Sequence, residues 1–374
     1  MILHLVSDHY VTNTCLKIFR EELPGQNIVL VYNHFGYSVE GDEIVTDDNA
    51  AAIARQIDFS KITCVVISFM TGKKRQFVER FVPFGIPVIW WTYGMDFYVG
   101  YLEKRGYQVF YSPPDKYRFG GVLTMPLLNL FRFFQNRGIR NEQDRFMADR
   151  LSGFVPCIRP EYDLLPDIKK KVRLIQIHPY GSSFKFDGRF TEGNDISLGH
   201  SASISDNHLY ALKYLNRLDI GESQLYLTLS YSNKVPRYTQ AVRRHFRKRY
   251  GGQVHFIDTL MDKQTYFESQ FRYKMMILPS WRQEALDNIY TCLQIGIKLV
   301  LSEKSVVYRY LKEYGFFVFS LEHLTQDDLA TPLNRETMQH NQLLFEKFVE
   351  ERKRNYYADF QKYFKTPELS DGQQ

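Results

Sequence analysis

The sequence alternates short, almost entirely apolar runs with segments of helical spacing, and this alternation continues along most of the chain. Runs that are apolar throughout are typical of strands whose two faces are both covered by helices. The first half is therefore predicted to be an α/β domain around a parallel sheet. Its predicted strands are 2–6, 28–32, 44–46, 64–68, 88–92 and 173–178, and its predicted helices are 13–22, 49–57 and 73–84.

A stretch rich in Gly, Ser and Asp, PYGSSFKFDGRFTEGND, interrupts the alternation at 179–195 and is typical of a domain boundary. The alternation then restarts. Strands are predicted at 196–198, 225–229, 254–257, 275–278, 298–301 and 317–319, with helices at 206–218, 236–250, 263–271, 284–295 and 306–314. We predict an N-terminal domain 1–185, a C-terminal domain 186–334, and a segment 335–374 whose helix packs across both domains before a disordered tail.

Composition limits the class of protein. A chain of 374 residues with 44% hydrophobic residues can bury two cores, and its 16% aromatic content is explained first by core packing. The N-terminus has no basic region before an apolar run, and no window approaches 18 apolar residues, so we expect neither export nor a membrane span. The four cysteines are scattered without CxxC spacing, which predicts reduced thiols in the cytoplasm.

The stretch DISLGHSASISDNHLYAL, 195–212, combines a strand, a turn of small residues and a helix start. Gly199 permits a tight turn, and Ser203, Ser205 and Asp206 are residues that cap helices well. At the carboxyl edge of a parallel sheet, such a helix start favours an anion such as a nucleotide phosphate. A well-capped connection without a ligand is the alternative.

A second candidate loop precedes the helical pattern 284–295. Ser280 and Gln283 have the spacing of a capping box, and Arg282 would stand at the helix start. Its guanidinium could bind a phosphate or a sugar at the sheet edge. The alternative is a surface ion pair with Glu284 or Asp287.

Several motifs are absent. The chain has no DxD triplet and no His, Asp or Glu cluster with metal-ligand spacing in sequence, so we predict no metal and no cofactor. It also has no GxGxxG after a strand and no GxxxxGK[ST], which removes the usual support for dinucleotide oxidoreduction and for P-loop phosphoryl transfer.

Two carboxylates follow strands of the first domain, Asp8 in LVSDHY and Asp96 in YGMDFY. A carboxylate at this position could take the proton of an acceptor hydroxyl, especially beside Trp91 and Tyr93, and we favour Asp96 over Asp8. A turn-forming role is the alternative for both.

Four histidines also lie near predicted strand ends. Structural roles are expected for them unless a phosphate contacts His200 or His208, which flank the proposed nucleotide site. They are His9, His178, His200 and His208.

Net charge is +6, which favours anionic partners such as nucleotides, phospholipid headgroups or nucleic acid without choosing among them. In 123–140, an apolar stripe lies beside Arg132, Arg137 and Arg140, which fits a core helix with solvated arginines or a helix on a membrane surface. The basic run 237–252 is interpreted as a solvated helix face, with an anionic membrane as the second choice. It lacks the aromatic platform of a nucleic-acid site, so no nucleic acid is predicted as a partner.

Four stretches carry a resemblance to a known family: VIWWTYGMDFY, ISLGHSASISDNHLYAL, LSYSNKVPRY and WRQEALDNIYTCLQIGIKLVL. They resemble the TDP-N-acetylfucosamine:lipid II N-acetylfucosaminyltransferases, glycosyltransferase family 56. The segments between them diverge, and the glycine-rich run that follows Arg-Gln in the family is here Glu284 to Asp287. The matching positions are Trp91, Gly94, Asp96, Tyr98, Gly199, Ser201, Asn207, His208, Tyr231, Arg282, Gln283, Gln294 and Gly296.

This resemblance implies a GT-B fold, in which two Rossmann-like domains face a cleft. It also implies that the N-terminal domain takes the acceptor, a glycan on polyprenyl diphosphate, and that the C-terminal domain takes a dTDP-sugar, with a UDP-sugar as the alternative. The protein would then be peripheral on the inner face of the cell membrane. The donor-binding residues expected on this basis are Gly199, His200, Ser201, Asn207, His208, Tyr231, Arg282, Gln283, Glu284 and Asn288.

We therefore predict a metal-independent glycosyltransferase that adds a deoxyamino sugar, a 4-acetamido-4,6-dideoxyhexose, to a lipid-linked oligosaccharide during synthesis of a cell-surface polysaccharide. One alternative is the same fold with another nucleotide-hexose or furanose donor. The alternative from another class is a non-catalytic protein that binds a sugar nucleotide as a scaffold. A DNA-binding module is the weakest.

Overall fold

The computed structural model describes residues 1–9, 11–33, 35–112, 114, 117, 125–165, 171–179, 181–230 and 235–365, with side chains described outside 125–136. These residues belong to two compact units. Unit 1 comprises Met1–Tyr107, Arg132–Tyr180 and Arg352–Gln374, and unit 2 comprises Gln108–Phe131 and Gly181–Glu351. The chain returns from unit 1 to unit 2 after Tyr180. Segment 108–131 belongs to unit 2 although the sequence placed it in the N-terminal domain, because Tyr117 is buried in the core of unit 2.

Unit 1 is built on a seven-stranded parallel sheet in the order β3-β2-β1-β4-β5-β6-β7. The central strands β1, β4 and β5 are buried along their whole length, as their apolar sequences predict. The strands are β1 Ile2–Ser7, β2 Asn27–Tyr32, β3 Glu43–Ile44, β4 Cys64–Ser68, β5 Val88–Trp91, β6 Leu151–Val155 and β7 Arg173–Leu174. The helices are Thr12–Glu22, Ala50–Gln56, Gly72–Phe81 and the greater part of Met125–Arg150.

Unit 2 is built on a six-stranded parallel sheet in the order β10-β9-β8-β11-β12-β13. Its core is formed by strand residues such as Leu198, Leu227 and Ile277, which pack against the flanking helices. The strands are β8 Asp195–Leu198, β9 Leu225–Thr228, β10 Val254–Ile257, β11 Tyr273–Leu278, β12 Lys298–Leu301 and β13 Phe319–Ser320. The helices are His208–Leu215, Pro236–Tyr250, Lys263–Gln270, Leu286–Ile295, Val306–Tyr314, Gln326–Ala330 and most of Arg335–Phe360.

The predicted alternation of strands and helices is confirmed, but several elements of the described residues were missed, among them the short helix Met95–Phe97, β6 and helix Gln326–Ala330. β6 was not predicted because its sequence, LSGFV, carries a serine and a glycine, yet it pairs with β5 in the interior of the sheet. Helix Gln326–Ala330 was not predicted either, because it is only five residues long. β7 covers only Arg173–Leu174 of the predicted strand 173–178. Each unit is Rossmann-like, with parallel strands joined by helices.

Both sheets reverse their strand order beside the first strand of the unit. β1 lies between β2 and β4, and β8 lies between β9 and β11. In open parallel sheets the connections leave in opposite directions at such a point, so a crevice forms outside the carboxyl ends of the strands.

Within the described part of the chain, no helix combines the length and apolar character that crossing a membrane requires.

Candidate functional site

The turn that follows β8 has room for glycine alone at position 199. Gly199 has φ +73°, and a Cβ on this residue would lie 2.6 Å from Nε2 of His208. A side chain would therefore meet both an unfavourable backbone conformation and a direct clash. The glycine lets the chain reverse so that the backbone N–H groups of His200 and Ser201 point at one carboxylate.

That carboxylate belongs to Asp206, which is fully buried. Its Oδ2 accepts hydrogen bonds from the backbone N–H of His200 and of Ser201, each at 2.8 Å, and Nδ1 of His200 lies 3.2 Å from its Oδ1. The expectation that Asp206 caps the helix was wrong, because its oxygens serve the preceding turn. The helix begins at His208, after Asn207 in the left-handed conformation at φ 51°.

The histidines on either side of Asp206 have opposite protonation tendencies. Burial lowers the pKa of His208, and the carboxylate of Asp206, 3.6 Å from its Nε2, does not outweigh that effect. Burial would also lower the pKa of His200, but Asp206 and Glu284 together raise it above its ordinary value. Burial would raise the pKa of Asp206, yet His200 and His208 hold it below its usual range. The turn thus favours the protonated form of His200, the ionised form of Asp206 and the neutral form of His208.

The loop between β11 and helix Leu286–Ile295 carries the second half of the site. Arg282 forms an ion pair with Glu284, and Ser205 donates to the same carboxylate at 3.4 Å. The predicted capping box was wrong, because Ser280 bonds within the loop, to the backbone of Arg282, and the helix starts later, after Ala285. Ala285 has φ 60°, a conformation that costs a non-glycine residue energy and is found often at functional sites.

The ion pair of Arg282 and Glu284 is not on the surface. The side chain of Arg282 is only 14% exposed and that of Glu284 only 6%. Nε of Arg282 and Oε1 of Glu284 have no hydrogen-bond partner among the described residues. Both line a narrow pocket of only about 10 Å³, together with His200, Ser280 and Ser305. A buried guanidinium N–H without a partner is costly unless a ligand completes its bonding.

The fold also assembles a group that the sequence did not predict. This group consists of His200, Asp206 and Glu284, and a possible metal-ligand atom of each lies within 4.8 Å of the others. The sequence predicted no cluster of this kind. That prediction was wrong for the folded chain, because residues far apart in sequence come together. The cluster already holds cationic partners, because the pKa of His200 is raised and Arg282 pairs with Glu284. A metal ion at this cluster would have to compete with Arg282 for the carboxylate of Glu284.

The structure brings most of the predicted donor residues to one edge of unit 2. Gly199, His200 and Ser201 follow β8, whereas Gln283 and Glu284 follow β11. Asn288 lies half-buried on helix Leu286–Ile295, and Tyr231 lies outside the described residues. Sequence reasoning missed Asp206 as the organising carboxylate, Ser280 and Ser305 as cavity residues, and Tyr238, whose hydroxyl lies 3.1 Å from Nδ1 of His208.

In unit 1, Asp96 is enclosed by donors. Its carboxylate accepts hydrogen bonds from Nε1 of Trp90 at 2.7 Å and from the backbone N–H groups of Met70 and Tyr93, each at 2.9 Å. Burial raises the pKa of Asp96 above its ordinary value although these bonds favour the ionised form. Asp96 therefore links the segment that follows β4 to the segment that follows β5.

Asp8 also receives backbone donors, since the N–H groups of Phe35 and Gly36 donate to it at 2.7 and 2.6 Å. Unlike Asp96, it borders an open depression that Asn33, Tyr37 and Ser38 also line. Burial lowers the pKa of the adjacent His9 to about 4 and that of His178 to about 3, so both rings are neutral.

Sequence reasoning also missed Lys74, a fully buried lysine between these carboxylates. Its Nζ donates to Oγ of Ser7 at 2.6 Å and to the carbonyls of Ser68 and Phe69 at 2.7 and 3.0 Å. Burial lowers its pKa, whereas Asp96 and Asp8 raise it. A lysine in the first turn of helix Gly72–Phe81 gives no sequence signal of burial, because a long charged side chain is usually solvated.

The arginines proposed for the membrane or acceptor lie on helix Met125–Arg150. Arg137 and Arg140 are exposed, and Arg140 lies 3.6 Å from Asp144. The side chain of Arg132 lies outside the described residues.

Neither protein-family models nor curated proteins give a match to the sequence. Solved structures match over almost the whole chain. An α,α-trehalose-phosphate synthase (UDP-forming) from Burkholderia vietnamiensis has a TM-score of 0.60 at 11% identity and covers 99% of both chains. A glycosyltransferase from Rickettsia africae also scores 0.60, at 11% identity over 98% of both chains. A sucrose-phosphate synthase from Thermosynechococcus elongatus scores 0.56 at 10% identity, over 96% of this chain and 99% of that chain.

The chain has a GT-B fold. Its two Rossmann-like units and the full-length similarity to these structures agree on that point. At 10–12% identity the similarity concerns the fold alone, so activity has to be argued from the site.

Proposed function

We propose that this chain is a glycosyltransferase that binds a nucleotide-sugar donor at the carboxyl edge of unit 2. One observation carries the proposal: the buried guanidinium of Arg282, whose Nε has no partner among the described residues, lies with His200 in the cavity wall beside β8 and β11. An arginine and an imidazolium at a topological switch point suit a diphosphate. The name of one structural neighbour, a UDP-forming synthase, supports this class of donor.

The chemistry requires charge stabilisation where the leaving group departs. During transfer, the acceptor oxygen forms a bond to the anomeric carbon of the donor sugar, and the bond from that carbon to the diphosphate oxygen breaks. The electron pair of the broken bond stays on the nucleoside diphosphate, so negative charge grows there. Arg282 and protonated His200 would stabilise this charge without a metal ion.

The acceptor hydroxyl must also lose its proton. We propose a carboxylate of unit 1 as the base. Asp8 and Asp96 are equally buried, at 4% exposed, and both accept backbone hydrogen bonds, but Asp8 also borders the open depression and is the first candidate. This reverses the order expected from the sequence. Asp96 then has a positioning role between β4 and β5.

For the sugar and the acceptor, the proposal depends on the sequence resemblance. It indicates a dTDP-activated 4-acetamido-4,6-dideoxyhexose, with UDP-sugars as the second choice, and a saccharide on polyprenyl diphosphate. A lipid-linked acceptor requires contact with the inner membrane surface, to which the exposed Arg137 and Arg140 could contribute.

Cosedimentation with anionic liposomes tests this contribution. At low salt, a variant with both Arg137→Gln and Arg140→Gln should bind the liposomes more weakly than the wild-type chain. Unchanged binding would remove these arginines from the proposal.

A thermal-shift panel tests the donor proposal. dTDP, UDP, GDP and CMP are added separately, each with and without a chelator, because a ligand that binds only the folded state raises the melting temperature. We expect dTDP to stabilise the protein most, UDP less, and the chelator to have no effect. Loss of stabilisation in chelator would contradict metal independence, and no stabilisation by any nucleotide would contradict donor binding.

A turnover assay separates catalysis from binding. Release of dTDP from a dTDP-sugar in the presence of a lipid-linked acceptor is expected. Binding of dTDP without any consumption of dTDP-sugars would instead favour the non-catalytic scaffold.

A further inference from the structure

Unit 2 includes a short segment from a distant part of the sequence. We call Val109–Tyr111 the strap. It belongs to unit 2 although it follows directly on the N-terminal part of unit 1, which ends at Tyr107. Val109 is 1% exposed, and Phe110 packs against the core of unit 2, so the strap is a fixed part of that unit.

Asn207 holds the strap by both ends of its side-chain amide. Its Oδ1 accepts a hydrogen bond from the backbone N–H of Tyr111 at 2.9 Å, and its Nδ2 donates to the carbonyl of Val109 at 3.2 Å. Asn207 is 2% exposed and lies between Asp206 and His208. The side chain imitates the pairing of a neighbouring strand, and it fixes the strap beside the turn that carries the imidazolium of His200.

The strap places one aromatic ring against the loop that follows β11. The ring centroid of Tyr111 lies 5.1 Å from that of Tyr210 and 6.2 Å from that of Trp281, both in tilted or edge-on contacts. Trp281 belongs to the same loop as Ser280, Arg282 and Glu284, and Lys304 covers its ring at 3.7 Å. Tyr210 and Trp281 are buried, whereas Tyr111 is 39% exposed, so Tyr111 offers ring surface to a ligand.

A nucleoside diphosphate has two chemically distinct parts that this edge can match separately. Its diphosphate is anionic and suits His200 and Arg282. Its base is planar and uncharged and suits an exposed aromatic ring held rigidly by its neighbours. We propose that Tyr111 stacks on the nucleobase of the donor and that Asn207 is the positioning residue that holds Tyr111 in place. This inference rests on the proposed donor site.

The experiment compares a ligand that has a base with one that lacks it. Affinities for dTDP and for inorganic pyrophosphate are measured by calorimetry for the wild-type chain and for Tyr111→Ala. We expect the variant to lose about 5- to 150-fold in dTDP affinity, the range of one base–aromatic stack, with pyrophosphate affinity unchanged. Tyr111→Phe should restore most of the loss. Tyr357→Ala removes a comparably exposed tyrosine from helix Arg335–Phe360 and serves as the control.

The positioning role of Asn207 has its own variants. Asn207→Gly keeps the left-handed backbone but removes both strap bonds, so it should weaken dTDP binding as Tyr111→Ala does and leave pyrophosphate binding intact. Asn207→Asp keeps the acceptor for Tyr111 and should recover part of the loss. The double variant Asn207→Gly, Tyr111→Ala should be no worse than either single one, because the two residues act together.

The outcomes separate the two proposals. If the wild-type chain binds dTDP and Tyr111→Ala binds it equally well, the base-stacking role is overturned and the donor site stands. If pyrophosphate affinity falls with dTDP affinity, Tyr111 affects the whole site and the base-specific role is again overturned. If the wild-type chain binds neither ligand, the donor site itself is overturned, and this inference falls with it.

Discussion

The two units share one topology and use its carboxyl edge differently. In unit 1 Lys74 donates to three acceptors and Asp96 accepts from three donors. Some buried polar atoms of unit 1, such as Oε1 of Glu161, have no hydrogen-bond partner among the described residues, but Lys74 and Asp96 are bonded within the unit. In unit 2 the comparable edge leaves Nε of Arg282 and Oε1 of Glu284 without hydrogen-bond partners among the described residues, and both line a cavity.

The difference shows that a switch point in a parallel sheet provides a location and not a function. Buried charges whose bonds are satisfied stabilise the local structure, and removing one partner is costly because the others stay buried. Buried polar groups whose bonds are incomplete are prepared for a ligand that completes them. On this basis we propose the carboxyl edge of unit 2 as the donor-binding edge and a carboxylate of unit 1 as the base.

The largest effect is expected on the transfer rate of Asp8→Asn. It would contradict the interpretation that every charged group of unit 1 is structural. Asp8→Asn should lower the transfer rate by about 100- to 10,000-fold, because asparagine cannot accept the proton of the acceptor hydroxyl. The affinity for dTDP should not change. Asp47→Asn alters an exposed carboxylate of the same unit and should have no effect on the rate.

The outcome for Asp96 decides between the two carboxylates. Asp96→Asn places an amide N–H opposite a hydrogen-bond donor, so it should lower the free energy of unfolding by about 1 to 3 kcal/mol. If folded Asp96→Asn protein loses transfer and Asp8→Asn does not, the base is Asp96. If both variants transfer normally, neither carboxylate is the base.

A second variant sharpens the comparison on the side of stability. Lys74→Met should lower the free energy of unfolding by about 3 kcal/mol, because it leaves the carbonyls of Ser68 and Phe69 without this buried donor and the nearby carboxylates without its charge. Denaturant unfolding measures the loss. The neighbouring Lys73→Met removes an exposed charge and should change it by less than about 0.5 kcal/mol. Equal losses in the two variants would contradict the structural role of Lys74.

A third variant tests the incomplete bonding of unit 2. Arg282→Ala should weaken dTDP binding by about 1.5 to 3 kcal/mol, the range for hydrogen bonds that involve a charged group. The same substitution at Arg237, which is exposed on the basic helix Pro236–Tyr250, controls for the loss of a positive charge. Calorimetry measures the affinity for dTDP. If the wild-type chain and Arg282→Ala have the same affinity, the ion pair of Arg282 with Glu284 is purely structural.

The smallest effect is expected from pH. The folded-state pKa of His200 is raised above the ordinary histidine value of about 6.5. Protonation of His200 therefore stabilises the folded chain below pH 6.5, and this contribution is lost as pH rises through the folded-state pKa. As pH rises above 6.5, the free energy of unfolding should fall more in the wild-type chain than in His200→Gln. The affinity of the wild-type chain for dTDP should fall over the same pH range. A parallel pH dependence of His200→Gln would show that another group titrates. His255→Gln, on the exposed face of β10, is the control.

Much of this fold could be predicted because its information is local. The strands Cys64–Ser68 and Lys298–Leu301 and the helix Pro236–Tyr250 were predicted with the observed bounds, since periodicity, a proline start and a glycine stop mark them. Candidate site residues after β8 and β11 followed from the same logic. Tyr231, in the same set, stays a prediction.

The raised pKa of His200 and the position of the strap could not be predicted in this way. Both depend on residues that are far apart in sequence, such as Asn207 with Val109 and His200 with Glu284. No spacing rule connects such pairs.

The sequence by itself determined two α/β units, their sheet character and the loops that carry polar residues, because hydrophobic periodicity and turn residues act within a few positions of each other. The tertiary structure alone decided which of those polar groups are satisfied. Lys73 and Lys74 are adjacent and chemically identical, yet one is exposed and the other buried among three acceptors. Arg282 and Arg237 differ in the same way, since folding buries the guanidinium of Arg282 and leaves its Nε without a hydrogen-bond partner among the described residues, whereas Arg237 stays exposed to water.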